Sequence, residues 1–286
     1  MKENPKISII GYGVMGGAII GGLLKKGVTL PEYICVSDPL QDRIDEAKST
    51  YKINGSIDNK EVVKSADVVI LSVKPQRFKL VASSIKGIIE KHALVLSIVA
   101  GVPIDSIEEE LEHACIIRAM PNTPAQIGEG ITVWTASSVV TDEQTILAKS
   151  ILTALGQEVL VEEEYFLDMA TALSGTGPAY VFMFMEAMID AGVHLGFPRR
   201  ISEQLVLQTM RGSVDYYAGR KDHPAHLRNE VTSPGGTSAA ALYYLEKAGF
   251  RTAISRAVWA AYERSLELGK GKVTRSPEQH IDNNHK

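Results

Sequence analysis

Cysteine is almost absent: the 286 residues contain two, Cys35 and Cys115. With no partner spacing for a zinc site and no framework of bridges, both are expected to be buried, reduced thiols. A surplus of charge is missing as well, since 30 Lys and Arg against 34 Asp and Glu leave a formal net charge of −4. That removes the electrostatic case for nucleic acid or an anionic membrane as a partner. Uninterrupted apolar runs stop far short of the ~18 residues that a membrane span requires. Residues 1–6 are polar and carry no apolar signal core, so the expected location is cytoplasmic. His223 and His226 have no carboxylate at metal-ligand spacing, and His92 and His113 sit beside solvated charge; all four are expected at the surface, and no metal is expected. No Ser-His-Asp or Cys-His arrangement is suggested either, so chemical power has to come from a cofactor.

What the chain does have is a glycine loop in a telling place. Ile7–Ile10 reads as a short apolar strand and runs directly into Gly11-Tyr12-Gly13-Val14-Met15-Gly16-Gly17. A helix from about residue 18 to 26 follows, with Gly27 as its cap. Gly11 suits the tight turn, Gly13 the close approach of a pyrophosphate and Gly16 the packing of helix on strand, which is the dinucleotide fingerprint in its proper context. A second strand at residues 33–36 ends at Asp38, where the adenosine ribose of such a ligand sits. An acidic residue there leans toward NADH, while Arg43 is near enough in sequence to reach the 2′-phosphate of NADPH. A weak strand at 52–55 and a helix at 59–64 come next. Apolar, β-branched strands follow at 67–73, 94–99 and 115–119. They end in Lys74-Pro75, in Ala100-Gly101-Val102-Pro103 and in Met120-Pro121-Asn122-Thr123-Pro124. Three such ends in register with a phosphate loop predict a cofactor cleft at the carboxyl edge of a parallel sheet. Strands at 131–135 and 158–161 close the sheet, with a helix at 141–155 between them capped by Gly156.

From about Glu162 onward no strand pattern is found. This places a boundary between a first domain, residues 1–161, and a helical domain, residues 162–269, with 270–286 expected to be a disordered tail rich in Asn, His and charge. Residues 178–195 are apolar nearly all round, interrupted chiefly by Glu186, Asp190 and His194. A helix of that kind has to be buried, either at the centre of a bundle or between subunits. Further helices are expected at 201–218, 239–247 and 251–268, capped by Gly219, Gly249 and Gly269. Two clusters of small and hydroxylated residues precede helices. Residues 173–180 suit close packing of a backbone or a ligand. Val231-Thr232-Ser233-Pro234-Gly235-Gly236-Thr237-Ser238 suits a carboxylate at a helix start, the alternative being that Thr237 or Ser238 merely caps the helix.

Taken in order, the glycine loop, Ser72-Val73-Lys74-Pro75-Gln76, Arg118-Ala119-Met120-Pro121-Asn122-Thr123-Pro124-Ala125 and these two clusters resemble the pyrroline-5-carboxylate reductases, from residue 7 to about residue 268. The resemblance implies an α/β Rossmann-type domain that binds NADPH or NADH, followed by an all-α dimerisation domain. It implies a homodimer, with assembly into a larger ring open. Its substrate, 1-pyrroline-5-carboxylate, would lie between one subunit's nicotinamide and the other's helical domain. Carried over by position, Tyr12, Val14, Met15, Asp38, Asn59, Val73, Lys74 and Ala100 line the cofactor, together with Gly11, Gly13, Gly16 and Gly101. Glu164, Glu230, Thr237 and Ser238 line the substrate, with Ser238 as the catalytic hydroxyl. Ser238 stands where relatives commonly have Thr. Asp38 stands where many have a small polar residue, so the nucleotide preference is not inherited. The alternatives are a β-hydroxyacid dehydrogenase or imine reductase-like enzyme; the dehydrogenase would need a catalytic Lys in the buried helical segment, and residues 178–195 contain none. A non-catalytic NAD(P) sensor would have no reason to keep a carboxylate pocket.

Overall fold

In a computed structural model that describes residues 4–269, eight strands form one sheet. They are β1 (Ile7–Ile10), β2 (Ile34–Ser37), β3 (Asn54–Ser56), β4 (Val68–Leu71), β5 (Leu94–Ser97), β6 (Ile116–Met120), β7 (Gly130–Ala136) and β8 (Gly156–Leu160). Their order is β3-β2-β1-β4-β5-β6-β7-β8. Strands β1 to β6 pair in parallel, β7 runs antiparallel to β6, and β8 is parallel to β7. The chain doubles back between β1 and β4, which opens a crevice at the carboxyl ends of β1, β2 and β4.

The sequence dictates this sheet because its central strands have no polar face. Every residue of β1, β4 and β5 is buried, and alternate side chains feed two separate cores. Ile7, Ile9, Val68 and Ile70 pack with Ile19, Ile20 and Leu23 of α1 (Val14–Lys26), Ile44 of α2 (Gln41–Tyr51), and Ile151 and Leu152 of α6 (Asp142–Thr153). Ile10, Val69 and Leu71 pack on the other face, with Val63 of α3 (Asn59–Val63), Phe78 and Ala82 of α4 (Pro75–Ile85), and Ile107 and Leu111 of α5 (Ile104–Leu111). Each fully buried Ile, Leu or Phe stabilises by about 1.5–3 kcal/mol relative to exposure.

Several local expectations need correction. Helix α1 opens at Val14, directly at the glycine loop. Helices α4 and α5 start at prolines read as loop residues: Pro75 is in the first turn of α4 and Pro103 is the N-cap of α5, positions where a missing N–H costs nothing. Gly156 is not the cap of α6. It opens β8 at φ +135, where any Cβ would collide with the Gly130 backbone. Helix α6 is instead held at its start by a Thr141–Gln144 capping box. Helix α9 (Arg199–Arg220) passes through Gly219 and ends on Lys221 at φ 58. His113 is not at the surface, because its Nε2 lies 2.8 Å from the buried Ala93 carbonyl.

The chain forms two compact units. The first holds the sheet and continues through Thr176, past the boundary expected after residue 161. The reason is that α7 (Phe166–Ala170) buries Leu167 beside β6 and β7. It also contains residues 260–269, the last part of α12 (Phe250–Gly269). The second unit, Gly177–Trp259, holds α8 (Gly177–His194), α9, α10 (Pro224–Glu230), α11 (Thr237–Lys247) and the start of α12. Within it α8 packs on α9, where Ser202 lies against Gly192. No residue of α8 is buried; Phe182 and Met183 are 60% and 74% exposed. The bundle-centre reading of this apolar helix therefore does not hold in a single chain. The tail expected at 270–286 lies outside the described residues.

Candidate active site

The glycine loop is built as its spacing requires. Gly11, at φ +102, donates its N–H to the Ser37 carbonyl at 2.7 Å, and a Cβ there would strike the Ser72 carbonyl. A Cβ on Gly16 would strike the Gly11 carbonyl, so α1 packs on β1 only because Gly16 has none. Gly13 differs: nothing lies within 4 Å of its missing Cβ. It is also the N-cap of α1, with no side-chain cap and no acidic residue in the first turn. The first N–H groups of a thirteen-residue helix thus face open space without a side-chain acceptor, which is a seat for a phosphate.

A cavity of about 460 Å³ opens from this seat across the ends of β1, β2 and β4. Six of the residues that the resemblance assigns to the cofactor, Gly11, Gly13, Asp38, Asn59, Val73 and Lys74, line it. Asn59 is fixed there: its Oδ1 accepts from Ser37 Oγ at 2.8 Å and its Nδ2 donates to Ser84 Oγ at 3.1 Å. Ile57, Leu80 and Val81 add an apolar wall, and Arg77 adds a cation. Sequence reasoning missed these four. A break at Pro75 followed by Phe78, Ala82 and Ile85 at helical spacing was the available signal for α4.

Tyr12 and Val14 line a neighbouring hollow of about 380 Å³ with Arg43 and Tyr51. Burial pushes the Tyr12 phenol up from its ordinary pKa, with Tyr51 and Glu46 adding to the effect. Met15 instead packs against the core beneath α1. Ala100 and Gly101 line neither hollow; Gly101, at φ +72, is buried against Ser265, Leu268 and Gly269 of α12.

Asp38 is 5% exposed. Its Oδ2 accepts the Tyr12 N–H and its Oδ1 the Leu40 N–H, both at 3.1 Å, while Arg43 Nη1 stands 3.4 Å from Oδ2. Glu164 joins a second buried network. Its Oε1 accepts from Arg118 Nη1 at 2.8 Å and from the Ile104 N–H at the start of α5 at 2.9 Å. Arg118, itself buried in the middle of β6, also reaches Asp168 at 3.3 Å, and Asp168 accepts from Ser265 Oγ at 2.7 Å. One guanidinium thereby ties together β6, the loop after β5, α7 and the end of α12.

The helical unit holds Glu230, Thr237 and Ser238. Ser233 to Gly236 form a turn with Pro234 second and Gly235 third at φ +73, closed by Gly236 N–H to the Ser233 carbonyl at 3.0 Å. That is a type II turn, which needs those residue types at those places. It delivers Gly236 as the N-cap of α11, with no side-chain capping bond. The capping alternative for Thr237 and Ser238 is therefore not realised; they are the first two residues of the helix, and Ser238 is half-buried. Glu230 accepts from Arg220 Nη2 at 2.8 Å, with His226 3.3 Å away. The hydrogen bonds that it donates to Glu230 and then to Asp222 hold the Arg220 guanidinium above its already high ordinary pKa. Among the described residues no group of three or more His, Cys, Asp or Glu is arranged to hold a metal, and no helix is long and apolar enough to cross a membrane.

A doubly wound sheet with an open phosphate seat, continuing into a helical unit with an uncovered apolar surface, defines a two-part oxidoreductase that binds a nicotinamide dinucleotide. Two family models match in the corresponding places: "NADP oxidoreductase coenzyme F420-dependent" over residues 6–101, and "Pyrroline-5-carboxylate reductase dimerisation" over residues 164–268. A pyrroline-5-carboxylate reductase of Synechocystis is 44% identical over 265 residues, 93% of this chain and 98% of the relative. A crystal structure of the Plasmodium falciparum pyrroline carboxylate reductase with NADP bound superposes with a TM-score of 0.86 at 33% identity, covering 93% of this chain and 99% of the other. The Coxiella burnetii pyrroline-5-carboxylate reductase does so at 0.84 and 37%, covering 93% and 98%. The chain belongs to the pyrroline-5-carboxylate reductase family.

Proposed function

We propose that the chain reduces 1-pyrroline-5-carboxylate to L-proline at the expense of NADPH or NADH, in the cytoplasm and as a homodimer free to assemble into a ring of dimers. Residues 1–161 would carry the cofactor, and residues 162–269 the substrate and the dimer contact. The observation that carries this reading is that each unit holds a helix start without a side-chain cap, α1 at Gly13 and α11 at Gly236. The first suits a pyrophosphate and the second a carboxylate.

When bound, the reduced nicotinamide supplies the hydride that the imine carbon accepts. Gly11, Gly13 and Gly16 shape its pyrophosphate seat, with Tyr12, Val14, Asp38, Asn59, Val73 and Lys74 around it, while Met15, Ala100 and Gly101 support that wall from behind rather than meeting the cofactor. The N–H groups at the start of α11 hold the substrate carboxylate. The Ser238 hydroxyl, not engaged as a cap, donates to the ring nitrogen, because a protonated imine is the better hydride acceptor. Thr237 stands beside it. Glu164 and Glu230 act through the cations they hold, Arg118 and Arg220. Positioning of this kind supplies up to about 7–11 kcal/mol over free encounter. Incubating the purified full chain with the pyrroline substrate and either reduced cofactor is expected to consume cofactor and yield proline. Cofactor binding without substrate-dependent oxidation would mark a sensor instead. Turnover of a hydroxy acid alone would mark a dehydrogenase.

A further inference from the structure

A carboxylate at the end of the second strand ordinarily selects NADH, since it accepts from the ribose 2′-hydroxyl and repels a 2′-phosphate. In this chain that carboxylate is engaged elsewhere. Both oxygens of Asp38 accept backbone N–H groups, from Tyr12 across the glycine loop and from Leu40 in the following turn. Only 5% of the residue is left accessible. Its charge is matched by Arg43, which approaches through one guanidinium nitrogen at 3.4 Å and is 49% exposed. That distance is longer than the ~2.7–2.9 Å of a well-made charge-assisted bond, and a guanidinium carries more donors than this contact uses. Arg43 faces the 460 Å³ cavity together with Lys74 and Arg77, and Asp38 is the only acidic residue lining it among the described residues. Of the three cations Arg43 alone follows β2, whose end meets the ribose; Lys74 and Arg77 follow β4, on the far side of β1.

We infer that the chain prefers the 2′-phosphorylated dinucleotide, NADPH, with Arg43 as the residue that reads the phosphate. Asp38 is a positioning residue that braces the glycine loop through Tyr12 and holds Arg43 at the rim. This rests on the reading of the chain as a dinucleotide-dependent reductase, and it reverses the lean toward NADH that Asp38 suggests in sequence.

The test is calorimetric binding of adenosine 2′,5′-bisphosphate and of AMP to the full chain, with kcat/KM for NADPH and NADH beside it. The bisphosphate is expected to bind at least tenfold tighter, with the stronger dependence on salt. Arg43→Ala is expected to weaken the bisphosphate by about 10- to 100-fold, the scale of a lost hydrogen bond to a charged group, and to leave AMP nearly unchanged. Asp38→Asn is expected to weaken both by a similar factor, because the loop loses its brace. Equal binding of the two nucleotides, an equal loss of both in Arg43→Ala, a selective loss in Arg77→Ala alone, or a selective gain for the bisphosphate in Asp38→Asn each overturns the assignment while leaving the reductase reading intact. If neither nucleotide binds and neither cofactor is oxidised, both fall together.

Discussion

All four residues of β1, of β4 and of β5 are buried, whereas the eighteen residues of α8 contribute none to the interior of their unit. Both stretches are strongly apolar. The difference is that the sheet is covered on both faces by helices of its own chain, while in the helical unit only Ser202 and Val206 are buried. Apolar sequence reports a demand for burial, and only the structure shows whether the chain meets that demand itself. A dimerisation family over residues 164–268 fits the unit that does not.

The strongest way to break this contrast is to charge the uncovered face. Met183→Asp, at a position 74% exposed in the single chain, is expected to leave the fold of each unit intact. It should nevertheless weaken assembly more than 100-fold, because each apolar side chain lost from a two-fold interface is lost twice, at about 1.5–3 kcal/mol each. Sedimentation should then show a monomer that still binds nucleotide but does not turn over. A monomer with full activity would end the shared-site model.

The buried polar network of the first unit gives the next effect. Arg118→Ala leaves Glu164 and Asp168 side by side without their cation, and breaking a buried pair in this way costs about 3–5 kcal/mol. The thermal midpoint of the sheet-containing unit should fall accordingly, and an unchanged midpoint would remove Arg118 as its organiser.

How far these features were legible in sequence depends on range. The strands and the glycine loop could be read because four neighbouring residues carry the whole signal. The same holds for the turn before α11, where Pro234 and Gly235 declare its type. The partners of Asp38 and Arg118 could not be read. The Tyr12 N–H is 26 residues from Asp38, and Glu164, Asp168 and Ser265 are joined to each other or to Arg118 across 46 to 97 residues. Nothing local to a carboxylate says whether a backbone N–H or a ligand will meet it. His113 misled for the same reason, being flanked in sequence by charge and in space by the Ala93 carbonyl.

A smaller effect separates chemistry from stability in the helical unit. Ser238→Ala is expected to lower kcat by about 10²–10³-fold, the scale of losing one oriented transition-state donor. Since Gly236 is the cap, stability should change by less than about 0.5 kcal/mol, as for an ordinary substitution away from caps and core. Ser238→Thr should be close to neutral in both. A stable variant with full kcat would move the role to Thr237.

The smallest expected effect uses the two thiols, and it sharpens the comparison because both lie in the first unit, Cys35 in β2 and Cys115 beside β6. Burial pushes both thiols up from their ordinary range. For Cys35 this outweighs the opposing pull of Lys48, and for Cys115 that of Gln144. A thiol with a raised folded pKa binds its proton more tightly folded than unfolded. Its contribution to stability is therefore complete below the ordinary thiol pKa of about 8.5 and is lost as pH rises through the folded values. The chain carries two tryptophans: Trp134, buried in β7, belongs to the first unit, and Trp259 closes the second. Single Trp→Phe variants let each unit be followed by its own fluorescence during unfolding. Between pH 8 and pH 10 the Trp134 signal should lose stability with a slope that Cys35→Ala with Cys115→Ala abolishes. The Trp259 signal should show no thiol-dependent slope of its own. If both signals shift together and the double variant removes the slope from both, the two units unfold as one cooperative body. The expectation that each unit unfolds separately would then fail.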